Sequence, residues 1–421
     1  MRVLVITRAP WRNDNNTGNT MTNLFSNMKD IEFYNLYFRD QLPKNDIVLK
    51  SFAISEGQLV RNLLKKTPVG QEVCEQDTIL QNQEDGIYKS AKKVGTTFLA
   101  FIRDVLWSVG KWKSGNFKKF LEENKPDVIF MPVFNCFYPH KILRFVKKQT
   151  SAKIILFHAD DNYTLKQFSL SPIYWLYRLN LRKWVRKSVE ISDVNYAISN
   201  IQKEEYEKAF NKPVKLLTKG LNFDETPNYK TEYNQPLQLV FTGNIGVNRW
   251  CSLAVIADAL KEINADTVKA EMKIYTATPI TEKIDKALNI ENASKIMGFV
   301  ESEKVAEIQS AADILIHVEA MDLKNKLLVR QSFSTKLVDY FKSARPILAV
   351  GPKDVASIDH LIRNDCAIVA DNKQELVEKL TECINNKNKL TEIAVKGYEC
   401  GKKHHNKESI YNLLYEDIRV K

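Results

Sequence analysis

The chain has 421 residues, 44% of them hydrophobic and 10% aromatic, which is enough for two or three packed cores and too evenly mixed for a low-complexity polymer. Its formal net charge of +11 is lopsided: residues 1–220 carry +13 and residues 221–421 carry −2, which turns the first half toward an anionic partner such as phospholipid, a diphosphate-linked lipid or nucleic acid. No recognition motif supports nucleic acid, no apolar run approaches the roughly 18 residues of a spanning helix, and six scattered cysteines without CxxC or zinc-spaced histidine read as reduced cytosolic thiols.

The opening MRVLVITRAPW is too short in its apolar part for a signal peptide and reads as a first strand. Short β-branched runs then alternate with amphipathic stretches, at 3–7, 127–131, 153–158, 194–199 and 214–218, and again at 237–243, 271–277, 313–319 and 346–350. This alternation predicts an α/β chain with two doubly wound parallel sheets, whose ligands sit at the carboxyl ends of strands and in a cleft between the domains. The polar, turn-rich FDETPNYKTEYNQP separates the two series. The expected division is a first domain over 1–220, a linker over 221–236, a second domain over 237–403 and a terminal amphipathic helix over 404–421.

Within the first half, strand one runs into the polar loop TRAPWRNDNNTGNT, with Gly18 and Asn19 near its end. The run FHADDN places His158, Asp160 and Asp161 at a carboxyl edge. An imidazole there has the pKa to orient or deprotonate a hydroxyl near neutral pH. The aspartates are adjacent rather than spaced as DxD, so no metal site is expected. The segment 87–121 is helical in period, basic and aromatic together. Phe98, Phe101, Ile102, Val105, Leu106, Val109 and Trp112 recur beside Lys92, Lys93, Arg103, Lys111, Lys113, Lys118 and Lys119. With the similar stretch 173–189, it has the make-up of a helix lying on an anionic membrane surface.

The second half opens with FTGNIGVNRW after a strand. Gly243 and Gly246 permit a tight turn around Asn244 and a close approach to an anion, and Arg249 can clamp a diphosphate bidentately. Further on, SFSTKLVDYFKSARPILAVGP predicts a helix capped by Ser334, with Phe333, Leu337 and Phe341 buried and Thr335, Lys336 and Asp339 on one exposed face. Lys336 would add a full charge for a phosphate, and Asp339 would accept hydrogen bonds from a ribose diol.

This last stretch resembles the donor-binding helix of GT-B glycosyltransferases of the family 4 type, with Thr335-Lys336, Asp339 and Ala344-Arg345-Pro346 at the family's positions. The resemblance is strong over 237–352 and loose over 1–220. It implies two Rossmann-like domains facing a central cleft, and a terminal helix that returns to the first domain. Asp339 takes the place of the second acidic residue of a Glu-x7-Glu motif. The first acidic position is Gln331, a departure, with Glu319 at the end of the preceding strand. FTGNIGVNRW is similar to the family's diphosphate-holding loop, although a lysine often found five residues after the arginine is here Ala254. By the same resemblance Gly298, Phe299 and Val300 are nucleobase contacts, and Gly18, Asn19 and Asp160 face the acceptor.

The resemblance further implies transfer of a sugar from a nucleotide-diphosphate sugar to a lipid-linked or polysaccharide acceptor, in bacterial surface polysaccharide assembly, with retention, without metal and with no cofactor beyond the co-substrate. His158, Arg249 and Lys336 are the expected catalytic residues. The setting is cytoplasmic, peripheral on the inner face of the membrane. Two alternatives stay open: a nucleotide-sugar epimerase on the same fold, and a non-catalytic subunit that binds nucleotide-sugar or lipid.

Overall fold

The computed structural model describes residues 1–77 and 96–419. Lys92 and Lys93, and the side chains of Phe98 and Phe101, lie outside the described residues. The chain divides into two compact units, one of Met1–Ile198, Lys203–Leu217 and Ile410–Lys421, the other of Ser199–Gln202 and Thr218–Ser409.

The first unit holds a sheet of eight strands: β1 (Arg2–Ile6), β2 (Glu32–Tyr37), β3 (Val48–Ala53), β4 (Gln71–Val73), β5 (Val128–Pro132), β6 (Lys153–His158), β7 (Val194–Ala197) and β8 (Lys215–Leu216). Their spatial order is β4-β3-β2-β1-β5-β6-β7-β8. All neighbours are parallel except β3 and β4. The inner strands are apolar on both faces, because helices cover both sides of such a sheet; Val3 to Ile6 and Val128 to Met131 are all buried. The second unit holds β9 (Leu237–Thr242), β10 (Ala270–Tyr275), β11 (Ser294–Gly298), β12 (Ile314–Val318), β13 (Ile347–Val350) and β14 (Ile368–Ala370). They are ordered β11-β10-β9-β12-β13-β14 and every pairing is parallel. In each sheet the winding reverses once, between β1 and β5 and between β9 and β12. Such a switch point opens a crevice at the carboxyl ends of the two strands.

The segment 221–236 is not a free tether, since it belongs to the second unit. Tyr398 donates to the carbonyls of Phe223 and Glu225, Lys230 pairs with the buried Asp313 at 2.6 Å, and Asn234 donates to the same carboxylate. A polar, turn-rich composition marks irregular backbone, but it does not separate a linker from a strap bonded to its own domain. The terminal helix Lys407–Arg419 begins in the second unit and continues into the first, where Tyr196 and Lys215 both bond Asp417 and Tyr415 donates to Asp30 at 2.6 Å.

The helix Thr96–Val109 turns Asp104 and Trp107 inward, with Trp107 stacked on Tyr138 at 4.3 Å between ring centroids. Trp112 is also buried, so it leaves the expected surface stripe, whereas Ile102, Val105 and Val109 are exposed. No described helix is long and apolar enough to cross a membrane.

Candidate active site

Three elements of the second unit meet at the switch point between β9 and β12. The loop after β9 ends at Arg249, the first residue of the helix Arg249–Ile263. Directly after β12 comes Glu319, and Lys336 opens the short helix Lys336–Lys342. Arg249 donates through Nε and Nη2 to Glu319 Oε2 at 3.1 and 3.0 Å, and Lys336 Nζ donates to the carbonyl of Thr242 at 2.9 Å. Lys336 also lies 4.8 Å from the Phe241 ring centroid, and His317 Nε2 is 3.5 Å from the other oxygen of Glu319.

Burial sets the electrostatics. Glu319 is 2% exposed; desolvation pushes its carboxyl above the usual range, against the pull of Arg249 and Lys336. Desolvation and the neighbouring Arg249 bring Lys336 down to about 8. The same burial, with both cations, holds His317 well below the usual imidazole range, so it is neutral. Arg249 is bonded to the carboxylate and Lys336 stands within its field, so a further anion would be drawn to the two cations.

Glycine makes this geometry available at one position above all. Gly243 has φ of +134°, and a Cβ there would collide with Lys336 Nζ; any side chain would push the lysine off the Thr242 carbonyl. Gly246 has a different part from the one expected. Its N–H is held by Asn244 Oδ1 at 2.6 Å, while the turn itself is made by Val247 and Asn248, both left-handed at φ of 56° and 58°. A β-branched residue in that region is strained backbone, of order 1–3 kcal/mol, immediately before the arginine.

The sequence of the second unit also matches a known family over residues 236–386, whose description is Glycosyl transferases group 1. Among solved structures the whole chain superposes on HepE from Anabaena in complex with UDP, with a TM-score of 0.64 at 12% identity over 99% of each chain. The chain has the two-domain GT-B fold, and its second unit carries a region similar to the group 1 glycosyl transferases.

The fold is shared with sucrose-phosphate synthase from Thermosynechococcus elongatus (TM-score 0.62, 10% identity, 100% of this chain and 98% of that one). A trehalose-6-phosphate structure from E. coli bound with UDP-2-fluoro glucose is equally similar (TM-score 0.62, 9% identity, 100% of both chains). A search of curated proteins returned no match.

The protein brings together only some of the residues expected from its sequence. Arg249, Lys336, Gly243, Asn244 and Gly246 gather around the cluster. Asp339, by contrast, is engaged by Lys219 Nζ at 2.7 and 2.9 Å. Ser334 does not cap the helix with its hydroxyl. The helix starts later, at Lys336, its cap residue Thr335 makes no side-chain bond, and Ser334 uses its backbone, receiving Leu337 N–H and donating to Ser357 Oγ. Phe333, Leu337 and Phe341 are buried as the periodicity predicts. Gly298 is left-handed (φ of +84°) with open space beside it, and Phe299 is 71% exposed; Val300 is half-buried. Gln331 is buried, and its side-chain oxygen accepts from Gln202 at 3.3 Å.

In the first unit His158 is closed off from solvent rather than facing an opening. As the last residue of β6 its side chain falls on the helix side of the sheet, edge-on to Tyr206 at 4.9 Å and beside Phe210. Full burial brings its pKa to about 3. Gly18 is likewise not a loop glycine. It lies inside the helix Asn16–Phe25, where a Cβ would strike the backbone of Arg12, and its N–H is capped by Asn15 at 2.7 Å. Asn19, on the same helix, and Asp160, two residues past the end of β6, are exposed. Asp161 is structural, buried in an ion pair with Arg178 at 2.8 Å.

Glu319 is the residue whose role sequence reasoning missed, having been read only as a stand-in for the acid absent at Gln331. Its signal is an acidic residue directly after the buried strand ILIHV, where ionised groups persist only with a partner.

Proposed function

We propose that the protein is a glycosyltransferase that takes its sugar from a UDP-sugar and passes it to a lipid-linked or polysaccharide acceptor, with retention and without a metal. The observation that carries this reading is the pairing of Arg249 with Glu319 at the switch point, with Lys336 close enough to act on the same carboxyl. A nucleoside diphosphate entering there offers phosphate oxygens in place of the single carboxylate, and the two cations meet the charge that grows on the leaving group. UDP and UDP-sugar analogues in the fold relatives support the choice of donor. Phe299, exposed after the left-handed Gly298, offers a face for the nucleobase, and Asp339, once Lys219 yields it, offers acceptors for the ribose.

His158 is buried, which leaves the departing phosphate oxygen as the base at hand for the acceptor proton. The bond from the anomeric carbon to phosphate then breaks on the same face on which the bond to the acceptor oxygen forms, and the configuration is retained. The excess of positive charge in the first half supports an anionic, lipid-linked acceptor and a peripheral seat on the inner face of a cytoplasmic membrane.

Incubation of the protein with UDP-sugars and a membrane lipid extract tests this reading. UDP release that requires the extract, with sugar of unchanged anomeric configuration in the lipid fraction, is the expected result. Conversion of the donor alone to an isomeric sugar nucleotide would instead establish the epimerase.

A further inference from the structure

The first unit contains a second concentration of cations, built differently. The turn after the helix Thr96–Val109, the helix Tyr138–Gln149 and the helix Pro172–Glu190 surround a pocket of about 640 Å³. Lys111, Lys113, Lys141, Arg144 and Lys148 line it, together with Trp184. Among the described residues none of the five cations forms an ion pair. The carboxyl whose field Lys141 feels is Asp104, buried beneath, which its burial raises to about 6. Aromatic rings and neutral oxygens hold three of the cations in place instead. Lys141 donates to Ser108 Oγ at 2.7 Å and stands 5.4 Å from the Trp184 ring centroid; Lys113 stands 5.2 Å from that of Trp112. Arg144 donates to the carbonyl of Lys187 at 3.1 Å.

Five cations facing one buried carboxyl in one concavity repel one another unless a further anion joins them. The surroundings indicate which anion. Ile102, Val105 and Val109 form an exposed row along one flanking helix, and Ile173, Leu176 and Leu179 form another along the second. Exposed apolar side chains on two of the helices that line a basic pocket, with an indole in its wall, suit a bilayer surface, where phosphate lies just outside the acyl chains.

We propose that this pocket seats the phosphate of an anionic phospholipid headgroup while the two apolar rows enter the bilayer surface. The proposal rests on the membrane-facing part of the function given above and assigns it a site. It also moves that site away from Lys118 and Lys119, which sit on another helix, Gly115–Asn124, where Lys119 is paired with Glu123.

Flotation of the full-length protein with phosphatidylcholine vesicles, with and without phosphatidylglycerol, tests the assignment. Wild type is expected to bind only the anionic vesicles. The triple variant Lys111→Gln/Lys113→Gln/Lys148→Gln is expected to lose roughly fivefold in partitioning per cation, about a hundredfold in all. The variant Lys29→Gln/Lys44→Gln/Lys208→Gln, which removes equal charge elsewhere on the unit, is expected to stay near wild type. Equal losses in the two triple variants would show a diffuse field and overturn the pocket, as would indifference to phosphatidylglycerol. Saturable binding of inorganic phosphate alone, abolished in the first variant, would assign the pocket to a soluble phosphate and overturn the lipid. UDP binding by both variants shows that they are folded. Its absence in wild type would count against the donor reading without touching the vesicle result.

Discussion

Arg249 and Lys336 in the second unit and the lysines around Trp184 in the first carry the same charge in opposite surroundings. The first pair is half-buried at a switch point beside the buried Glu319, with Arg249 on that carboxylate, Lys336 on a carbonyl, and glycine clearing the way for the lysine. The second group is half-buried or exposed, with Lys113 and Lys141 supported by rings, and has no carboxylate bonded to it among the described residues. Burial makes a few charges strong and position-sensitive, while exposure makes many charges weak, additive and screened by salt. A single substitution should therefore disable the first region, whereas the second should yield only by increments.

The largest expected effect follows from that difference. Lys336→Ala should lower the transfer rate by about 10²–10³-fold, the size found when one stabilising group is removed from a preorganised site. Initial rates, with thermal melting as a check on folding, measure it; a loss of only a few-fold would put Lys336 in the same class as the surface lysines. Gly243→Ala should cost about 1–3 kcal/mol of stability, because φ of +134° strains any side chain. It should also weaken donor binding, because the new Cβ displaces Lys336 Nζ. Chemical denaturation and donor titration read the two effects separately.

A pH profile sharpens the comparison further. Lys336 is charged below about 8 and neutral above it, so the donor's dissociation constant should rise as pH climbs through that value, by up to about tenfold per unit. Lys336→Arg, whose guanidinium stays charged, should remove the rise. The linked stability runs the other way. A lysine whose pKa is depressed in the folded state costs stability while charged, and that cost fades as pH rises from about 8 toward the unfolded value. The smallest effect belongs to the nucleobase contact. Phe299→Ala should leave stability within about 0.5 kcal/mol, being an exposed side chain, and weaken UDP several-fold, the size of one ring contact of about 0.5–1.5 kcal/mol.

How much of this was legible depends on what the sequence signal reports. Strand runs such as VLVI, KIILFH and LQLVFT are apolar on both faces, and period and β-branching mark them directly. β2, with Asn35 buried in EFYNLY, and the three-residue β4 and β14 carry too little pattern to be seen. The motifs around Gly243, Arg249 and Lys336 were legible because loop glycine and a cation beside a strand end are local features. Which way a side chain turns is not local. His158 and Asp160 are two residues apart, yet one is enclosed by Tyr206 and Phe210 while the other is exposed. Gly18 is required by packing against Arg12, six residues earlier, rather than by a ligand. Three of the four cations of the helix Tyr138–Gln149 fall at positions 141, 144 and 148, a helical spacing visible in the sequence; only the fold brings them beside Lys111, Lys113 and Trp184.

Calorimetric titration of UDP into the wild-type protein, Arg249→Ala and Lys336→Ala tests most directly whether the cation pair beside Glu319 is the diphosphate site. Saturable binding by wild type, weakened at least about tenfold by each substitution, the equivalent of 1.4 kcal/mol, is the predicted result. Wild-type affinity in both variants would contradict it.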